Sequence, residues 1–270
     1  MAGEEQISDP RWQTLLKAPP RLAPPAGTRH VHVVADAHLG DPASPAEPFL
    51  EMLRELEGPG LCVVLGDLFQ VWLALPGFWD AQAGRVLEGL EQLRSRGVRT
   101  VLVVGNREFF LPRDKALLQR RGLPFDEVCH DGFLLDWQGR GSLFTHGDII
   151  NRADSAYLRW RALSRSAPLE WLFRLLPGRL AQGLAQRLER TIRQTNMSHR
   201  LHLPEQDLRD FARLAPADCQ AIYAGHFHAR GGYGEKGGGA RLTLVPDWMG
   251  TRTVLRMGPD GAEEWLEFPA

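Results

Sequence analysis

The chain has 270 residues, of which 43% are hydrophobic, and a formal net charge of −1. This length allows one large α/β domain with an insertion or two small domains, and the charge excludes a globally basic nucleic-acid-binding protein, although not a local basic patch. Three scattered cysteines exclude a disulfide framework and a cysteine-based zinc cluster, so we expect reduced thiols in a cytosolic protein.

The N-terminal residues are not expected to form a secretory signal. The start MAGEEQISDP has neither a basic region nor an apolar core, and no segment approaches the roughly 20 apolar residues that span a bilayer. Residues 1–28 contain five prolines and little periodicity, which predicts an irregular arm with a possible short docked helix around RWQTLLK. We expect the protein to remain in the cytoplasm.

From His30 onward, short apolar runs alternate with longer amphipathic segments. Five runs have the composition of buried strands, and each closes on Gly, Asp, Asn or His: HVHVVAD, LCVVLGD, TVLVVGN, SLFTHGD and AIYAGH. Between the first three lie EPFLEMLRELEG and AQAGRVLEGLEQLRSRG, whose leucines recur at three- and four-residue steps as in amphipathic helices. Strands that alternate with helices predict a layered α/β fold in which helices cover the sheets.

Residues 155–200 interrupt this alternation. They contain no strand-like run and are predicted to be helical on both sides of Pro177 and Gly178. Nine arginines and no lysine stand against Glu170 and Glu189, so the local charge is +7. The segment is a cationic helical insertion between two strands that end in histidines. Beyond it, the runs ARLTLVPDW, TRTVLRM and EEWLEF predict an antiparallel meander that closes a second sheet.

Polar residues of one chemical kind follow five of the predicted strands. Ligands bind at the carboxyl ends of strands in open α/β sheets, so residues directly after a strand can converge although they lie far apart in the chain. Seven of these residues are candidate metal ligands: Asp36, His38, Asp67, Asn106, His146, His226 and His228. A turn alone would account for one glycine followed by aspartate or asparagine, but not for seven ligand-type residues in this order.

Carboxylates and imidazoles suit divalent ions such as manganese, iron, zinc or magnesium, and the absence of thiolates argues against a structural zinc site. Seven ligands exceed what one such ion takes, but they suit two ions that share Asp67 as a bridge. Two ions about 3.5–4 Å apart bind both the attacking and the leaving oxygen of a phosphoryl transfer. The pattern therefore predicts hydrolysis of a phosphoester or a diphosphate.

The ordered motifs D-x-H, G-D, G-N-x-E, H and G-H-x-H resemble those of the calcineurin-like metallophosphoesterase superfamily over residues 30–230. The resemblance implies a four-layer α/β sandwich of two mixed sheets flanked by helices, formed here by residues 29–270 with a helical lid inserted at 155–200. It implies that the first ion is bound by Asp36, His38, Asp67 and His228. The second ion would be bound by Asp67, Asn106, His146 and His226.

Most of the superfamily has histidine after the asparagine of the third motif, whereas this chain has Arg107. The chain has a combination of motifs similar to that of the UDP-2,3-diacylglucosamine diphosphatase family of lipid A biosynthesis. The combination consists of GDLFQVW, GNREFF and HGDIINRADSAY, followed by the arginine-rich insertion. This resemblance implies a pyrophosphatase that converts UDP-2,3-diacylglucosamine to UMP and 2,3-diacylglucosamine 1-phosphate (lipid X). It also implies Mn²⁺ as the ion and a peripheral position on the cytoplasmic face of the inner membrane, with no nucleic acid and no obligate protein partner.

Asn106 and Arg107 are the predicted catalytic residues. A guanidinium stays charged and can bind two oxygens of a diphosphate, but it is a poor proton donor, so Arg107 would stabilise charge without acting as an acid. A surface ion pair of Arg107 with Glu108 or Asp67 is the structural alternative. We expect Glu108 to support the site by orienting a ligand histidine or Arg107, and Asp148 to have a similar supporting role.

The insertion suits a lipid substrate. Apolar residues recur every four positions along one helical face, at Leu180, Leu184, Leu188 and Ile192, and bulky side chains lie near its start, at Trp160, Trp171 and Phe173. Its arginines would face phosphates of the substrate or of an anionic membrane. The predicted substrate-binding residues are Asn106, Arg107, Asp154, Tyr157, Arg193 and Asn196. Core packing of the leucines and tryptophans, with the arginines on a solvated face, is the alternative.

Two other functions stay open. The same metal motifs could act on another nucleotide diphosphate or a phosphodiester, and a water-soluble substrate would need no apolar channel in the lid. A non-catalytic scaffold of the same fold would bind proteins instead. Scaffolds of this kind usually lose metal ligands, and this chain retains all seven candidates.

Overall fold

Two six-stranded mixed β-sheets form the centre of the molecule. The computed structural model describes residues 9–269 with the exception of 76, 155–156, 158–160, 162, 176–202 and 236–237. Its strands are β1 (Arg21–Leu22), β2 (His30–Val34), β3 (Gly60–Val64), β4 (Trp72–Leu73), β5 (Val98–Val103), β6 (Glu108–Phe109), β7 (Glu127–Cys129), β8 (Phe133–Trp137), β9 (Arg140–Thr145), β10 (Cys219–Ala224), β11 (Gly231–Glu235), β12 (Gly238–Leu244), β13 (Thr253–Met257) and β14 (Glu263–Glu267). Its helices are α1 (Pro10–Lys17), α2 (Ala46–Glu55), α3 (Ala81–Ser95), α4 (Lys115–Arg120), α5 (Ala167–Leu175), α6 (Glu205–Arg213) and α7 (Trp248–Thr251).

The strand orders define two sheets and a small third one. Sheet A has the order β1-β8-β9-β10-β12-β11, and sheet B has the order β14-β13-β2-β3-β5-β7. Strands β4 and β6 pair separately beside the ends of sheet B. The parallel strands β2, β3, β5 and β7 form most of sheet B, and the parallel strands β9, β10 and β12 form the middle of sheet A.

Apolar side chains pack between the two sheets and on both outer faces. The inner layer contains Val31 and Val33 of β2 and a stack of Phe133, Phe144 and Tyr223 with ring centroids 5.1 Å apart. Helices α2 and α3 cover the outer face of sheet B, and α1 and α6 cover the outer face of sheet A. This order of helices, sheet, sheet and helices confirms the predicted four-layer sandwich.

The five strands predicted before the C-terminal region all form, as do the two predicted helices. The carboxylate of Asp80 caps α3 by accepting a hydrogen bond from the N–H of Ala83 at 2.7 Å. The three cysteines are buried free thiols, as expected for reduced cysteines.

The predicted C-terminal meander is wrong. Strand β12 lies in sheet A, parallel to β10, whereas β13 and β14 form a hairpin on the edge of sheet B next to β2. The chain changes sheets at α7, which is capped by Asp247 and followed by Arg252 with φ 52°. An alternating pattern shows that a strand has a buried face, but it does not specify which partner covers that face.

In the N-terminal segment, the possible docked helix around RWQTLLK forms as α1, whereas the pairing of β1 differs from the irregular arm expected for residues 1–28. Within its described part, α1 buries Trp12, Leu15 and Leu16 against the helix-covered face of sheet A, and β1 pairs in parallel with β8. These three side chains recur at three- and one-residue steps and so lie on one helical face. Pro10 lies in the first turn, where a missing N–H removes no hydrogen bond of the helix.

Part of the predicted lid is described. Residues 157, 161 and 163–164 are helical, and α5 follows. The apolar face predicted at positions 180–192 lies outside the described residues. Among the helices of the described ranges, none combines the length and the apolar character needed to cross a membrane.

Candidate metal centre

The seven candidate metal ligands lie at the carboxyl ends of five strands. They follow β2 (Asp36 and His38), β3 (Asp67), β5 (Asn106), β9 (His146) and β10 (His226 and His228). Within each sheet these strands are parallel, so their carboxyl ends share one edge. The edges of the two sheets meet, and the seven side chains form one continuous cluster.

Five of these residues have a left-handed backbone: Asp36 (φ 50°), His38 (φ 47°), Asp67 (φ 51°), His226 (φ 68°) and His228 (φ 48°). This region costs residues other than glycine roughly 1–3 kcal/mol each and occurs mainly at functional sites. The surrounding packing therefore imposes a conformation that turns these side chains inward.

The first group consists of Asp36, His38 and His228. The Nε2 atoms of the two histidines lie 3.2 Å apart, and Oδ1 of Asp36 lies 3.6 Å from Nε2 of His228 and 4.0 Å from Nε2 of His38. Metal–ligand distances of about 2.0–2.2 Å place neighbouring ligands of one ion about 3–3.6 Å apart. These three side chains can therefore hold one ion after small adjustments.

The second group consists of Asp67, Asn106, His146 and His226. Oδ1 of Asn106 lies 3.0 Å from Nε2 of His146 and 3.1 Å from Nδ1 of His226. Oδ1 of Asp67 lies 3.7 Å from Nε2 of His146, while its Oδ2 lies 3.9 Å from Nε2 of His38 in the first group. Asp67 thus directs one carboxylate oxygen towards each group, as a bridging ligand would.

The polar atoms of both groups fit divalent cations. Oδ1 of Asp36 is buried without a hydrogen-bond partner, whereas Oδ2 accepts a hydrogen bond from the N–H of His226 at 2.7 Å. Nδ1 of His146 donates to the carbonyl oxygen of Leu65 at 2.7 Å, so Nε2 keeps its lone pair for an ion. A buried anionic oxygen without a partner is costly, and a cation between these ligands would compensate for that cost.

The histidine pKa values follow from burial and from neighbouring carboxylates. Burial lowers the pKa of His38 and of His226 to about 3, which keeps both imidazoles neutral near pH 7, as metal ligands must be. Burial also opposes the charged form of His228, but the carboxylates of Asp247 and Asp36 outweigh it and raise the pKa of His228 to about 10.

Proteins of known name resemble this chain over most of its length. It is 30% identical over 247 residues to the UDP-2,3-diacylglucosamine hydrolase of Xanthomonas campestris pv. campestris, with 84% of this chain and 95% of that protein covered. It is also 30% identical over 248 residues to the hydrolase of the same name from Xanthomonas axonopodis pv. citri, with 85% and 95% covered. The chain belongs to the UDP-2,3-diacylglucosamine hydrolase family.

Membership in the UDP-2,3-diacylglucosamine hydrolase family confirms the resemblance indicated by the five motifs and Arg107. No family model matches the chain. Among solved structures, Vps29 of Chaetomium thermophilum aligns with a TM-score of 0.44 at 10% identity, covering 90% of this chain and 100% of that chain. An archaeal phosphodiesterase aligns with a TM-score of 0.41 at 10% identity, covering 88% and 99%.

Arg107, which follows Asn106 in the third motif, is buried at the candidate metal centre. Its side chain is 3% exposed, and its Nε lies 3.8 Å from Oδ2 of Asp67. Its backbone N–H donates to Oδ1 of Asp67 at 2.8 Å. The ion pair with Asp67 that was the structural alternative therefore forms, but inside the site and not on the surface, so it is compatible with a role at the substrate.

The glycine of the G-N-x-E motif is required by a close approach of two loops. The backbone of Gly105 lies outside the left-handed region, so the turn interpretation does not explain it. A Cβ at this position would lie 2.3 Å from Oδ1 of Asp67 and 2.6 Å from its backbone nitrogen. Only glycine lets the strand end that presents Asn106 pack directly on the strand end that presents Asp67.

Glu108 joins these two loops. Its Oε2 accepts hydrogen bonds from the N–H groups of Gly105 at 2.7 Å and Asp67 at 3.0 Å, and its Oε1 accepts one from the N–H of Leu68 at 2.8 Å. This carboxylate therefore supports the site, as expected, but through backbone groups instead of a ligand histidine or Arg107. Burial and the charge of Asp67 raise the pKa of Glu108 to about 7.

The Glu108→Gln substitution should lower the free energy of unfolding by about 1–3 kcal/mol, because the amide of glutamine would direct its own N–H groups at backbone donors and leave at least one of them unsatisfied. Denaturant unfolding monitored by fluorescence measures this change. Glu51→Gln, at an exposed position of α2, is the matched control. Equal stability of Glu108→Gln and the native protein would contradict the bridging role of the carboxylate.

Asp247 was not among the residues predicted from the sequence. It lies three residues after the end of β12, and its Oδ2 lies 3.6 Å from Nδ1 of His228 while accepting a hydrogen bond from the N–H of Gly250 at 2.8 Å. It lies behind His228 on the side opposite the first metal group, where a carboxylate orients a ligand imidazole. Its position after a strand in LVPDW was the signal that could have identified it.

The predicted substrate contacts Asp154 and Tyr157 lie at the start of the insertion. Oδ1 of Asp154 accepts a hydrogen bond from the N–H of Tyr157 at 2.9 Å. The Tyr157 hydroxyl donates to Asp148, and its ring lies 6.5 Å from the imidazole of His226, measured between centroids. Asp148 therefore connects the insertion to the metal centre. The other two predicted contacts, Arg193 and Asn196, lie outside the described residues.

Two arginines of the insertion bind the protein core instead of facing outward. Nε of Arg161 donates to Oδ2 of Asp148 at 2.7 Å. The guanidinium of Arg165 donates to the carbonyl oxygens of Gly105 at 2.6 Å and His130 at 3.0 Å. The expectation that the arginines of the insertion face phosphates therefore fails for these two, because their charges are used to fix the insertion beside the G-N-x-E motif. No pattern in the sequence distinguishes them from the other seven.

Proposed function

We propose that this chain hydrolyses the diphosphate bond of UDP-2,3-diacylglucosamine to give UMP and 2,3-diacylglucosamine 1-phosphate (lipid X). The observation that carries the proposal is the position of Arg107, a buried guanidinium next to two convergent groups of metal ligands. A diphosphate presents paired anionic oxygens that a guanidinium binds in a fork. The relatives that share 30% identity with this chain bear the name of this hydrolase.

Two divalent ions, Mn²⁺ in this proposal, would occupy the two groups of ligands. Asp36, His38 and His228 would hold the first ion and Asn106, His146 and His226 the second, with Asp67 between them. Ions bound there would activate a water molecule and neutralise charge on the phosphoryl oxygens.

Asn106 and Arg107 are the catalytic residues of this proposal. Arg107 would stabilise the charge that develops on the diphosphate as its bond breaks. A general acid is not needed, because the phosphate monoester leaves as a stable anion. The absence of histidine after Asn106 agrees with this requirement, since an imidazole there would favour a more basic alkoxide leaving group.

The apolar surroundings of Arg107 support a substrate with acyl chains. A cluster of buried apolar residues begins two positions after Arg107 and includes Leu73 of β4, Phe109 and Phe110. Phe173 of α5 packs on this cluster, with its ring 5.2 Å from that of Phe110. Apolar side chains thus lie directly beside the proposed diphosphate site. Asp154, Tyr157, Arg193 and Asn196 remain the proposed contacts to the rest of the substrate.

The proposal extends to a peripheral position on the cytoplasmic face of the inner membrane. Helix α5 exposes 64% of Trp171 and 60% of Leu175 on the face opposite Phe173, and 45% of Leu172 beside that face. A tryptophan and leucines on an exposed helix, in a segment rich in arginine, have the composition of a face that binds an anionic bilayer surface.

Replacing Trp171 and Leu175 with serine should therefore reduce cosedimentation with vesicles that contain anionic phospholipid by several-fold. Hydrolysis of detergent-solubilised substrate should stay unchanged, because neither side chain lies at the metal centre. Leu203→Ser, at a position that is 36% exposed outside α5, serves as the control. Undiminished vesicle binding by the double variant would contradict the peripheral position assigned to this face.

The function is tested by incubating the purified protein and Mn²⁺ with UDP-2,3-diacylglucosamine and measuring UMP. We expect UMP release that requires the metal and disappears in the His226→Ala variant. UDP-glucosamine without acyl chains, compared at the same concentration, should react far more slowly. No UMP above the metal-free control would refute the proposal, and equal rates on both substrates would favour another nucleotide diphosphate as the substrate.

A further inference from the structure

Helix α1 packs against the short segment that joins a metal ligand to the insertion. Trp12 is 1% exposed, and its Nε1–H donates to the carbonyl oxygen of Ile149 at 3.0 Å. Ile149 lies three residues after His146 and next to Asp148, which binds Tyr157 and Arg161 of the insertion. The N-terminal helix therefore contacts the chain between the second metal group and the insertion.

Arg152 connects the segment before the insertion to the helix that follows it. Its Nε donates to Oδ1 of Asp207 at 2.7 Å, its terminal nitrogen donates to Oδ2 of Asp210 at 2.7 Å, and its backbone N–H donates to Oδ2 of Asp207 at 2.8 Å. Both aspartates belong to α6, which follows the insertion. We call Arg152, Asp207 and Asp210 the insertion clamp. It connects the chain shortly before the insertion to α6 after it.

The ring of Trp12 contacts the insertion clamp. The guanidinium of Arg152 lies 4.9 Å from the centroid of the Trp12 ring, within cation–π range. The same ring packs edge-on against Phe211 of α6, with centroids 5.2 Å apart and an angle of 83°. One side chain of the N-terminal helix thus contacts the segment before the insertion through Ile149 and Arg152, and the helix after it through Phe211.

We propose that α1 is a positioning element for the described start of the insertion. Trp12 and Arg152 hold the segment around Ile149, whose neighbour Asp148 binds Tyr157 and Arg161, in the position that a large substrate requires. This inference rests on the proposed function for its substrate, but not for its structural readout. Neither residue touches the metal ligands, so weakening their contact should change how the insertion is held without changing the chemistry at the ions.

The test compares Trp12→Phe, which keeps an aromatic ring in the core but removes the donor to Ile149, with Arg152→Gln, which removes the clamp. Both variants should raise KM for UDP-2,3-diacylglucosamine several-fold with little change in kcat. Both should hydrolyse bis(4-nitrophenyl) phosphate, a small diester that does not need the insertion, at the native rate. Arg209→Gln is the control. Arg209 lies on α6, as Asp207 and Asp210 do, but it pairs with Glu205 and its guanidinium lies over the ring of Tyr233.

Hydrogen exchange provides a readout that does not depend on the substrate. Amides of residues 149–157 should exchange faster in both variants than in the native protein and in Arg209→Gln. In a double-mutant cycle, the effects of Arg152→Gln and Asp207→Asn on these exchange rates should be non-additive. Unchanged exchange, or an equal loss of activity on both substrates, would overturn the positioning role. If the variants exchange faster but the native protein has no activity on the lipid-linked substrate, the proposed function is refuted and the positioning role stays intact.

Discussion

Replacing Asp67 with asparagine is expected to abolish metal-dependent hydrolysis. Asp67 directs its two carboxylate oxygens towards different metal groups, at 3.9 Å from His38 and 3.7 Å from His146. Asparagine is uncharged and has an amide nitrogen in place of one oxygen, so it cannot bridge two cations. The loss of activity should exceed the roughly 10²–10³-fold that removal of one charge-stabilising donor costs.

The folded structure should survive this substitution. Asparagine keeps an oxygen that can accept the hydrogen bond from the N–H of Arg107, and burial, which raises the pKa of Asp67, shows that its charge is unfavourable without a cation. We therefore expect lost UMP release and reduced manganese content by elemental analysis, with an unfolding midpoint in metal-free buffer no lower than that of the native protein. Asp114→Asn is the control, because asparagine caps α4 as well as aspartate does. Activity within tenfold of native would contradict the bridging role.

The second large effect is expected from Arg107→Gln. Glutamine retains the size of the side chain and some hydrogen bonding, but it removes the permanent positive charge beside Asp67. If the guanidinium stabilises charge that develops on the diphosphate, kcat should fall by roughly 10²–10³-fold. Arg107→Lys should restore only part of the activity, because an ammonium lacks the planar fork that binds two oxygens.

Steady-state kinetics on UDP-2,3-diacylglucosamine measure this effect. Arg99→Gln, which removes an arginine that pairs with Glu127 at the edge of sheet B, should behave like the native protein. A rise in KM at unchanged kcat would mean that Arg107 binds substrate and transition state equally. If Arg107→Gln has the kcat and KM of the native protein, the pairing of Arg107 with Asp67 has only a structural role.

The fold was predictable where local sequence carries the information. The runs that became β2, β3, β5, β9 and β10 end in the polar residues that mark a strand terminus at a site, and both the strands and their shared edge followed from that pattern. The sheet assignment of β12 did not follow, because its alternating residues are compatible with either sheet. Short strands such as β4 and β6 were missed because two residues show no periodicity.

The supporting residues of the site were less accessible to sequence reasoning. Glu108 belongs to a motif, yet its three backbone partners depend on how closely two loops pack at Gly105. Arg165 looks like any other arginine of the insertion until the fold brings it to the carbonyl oxygen of Gly105. The same holds for Trp12, whose partner Ile149 lies 137 residues away in the chain.

The sequence by itself determined the chemical kind of each ligand, the order of the five motifs and the presence of Arg107, because these properties belong to single residues and to neighbours along the chain. Only the tertiary structure decided that Asp67 faces both metal groups, that Glu108 joins two loops, and that an N-terminal helix contacts the segment before the insertion and the helix after it. These arrangements depend on contacts between segments far apart in sequence. Their geometry is set by the packing of two sheets, which no local pattern specifies.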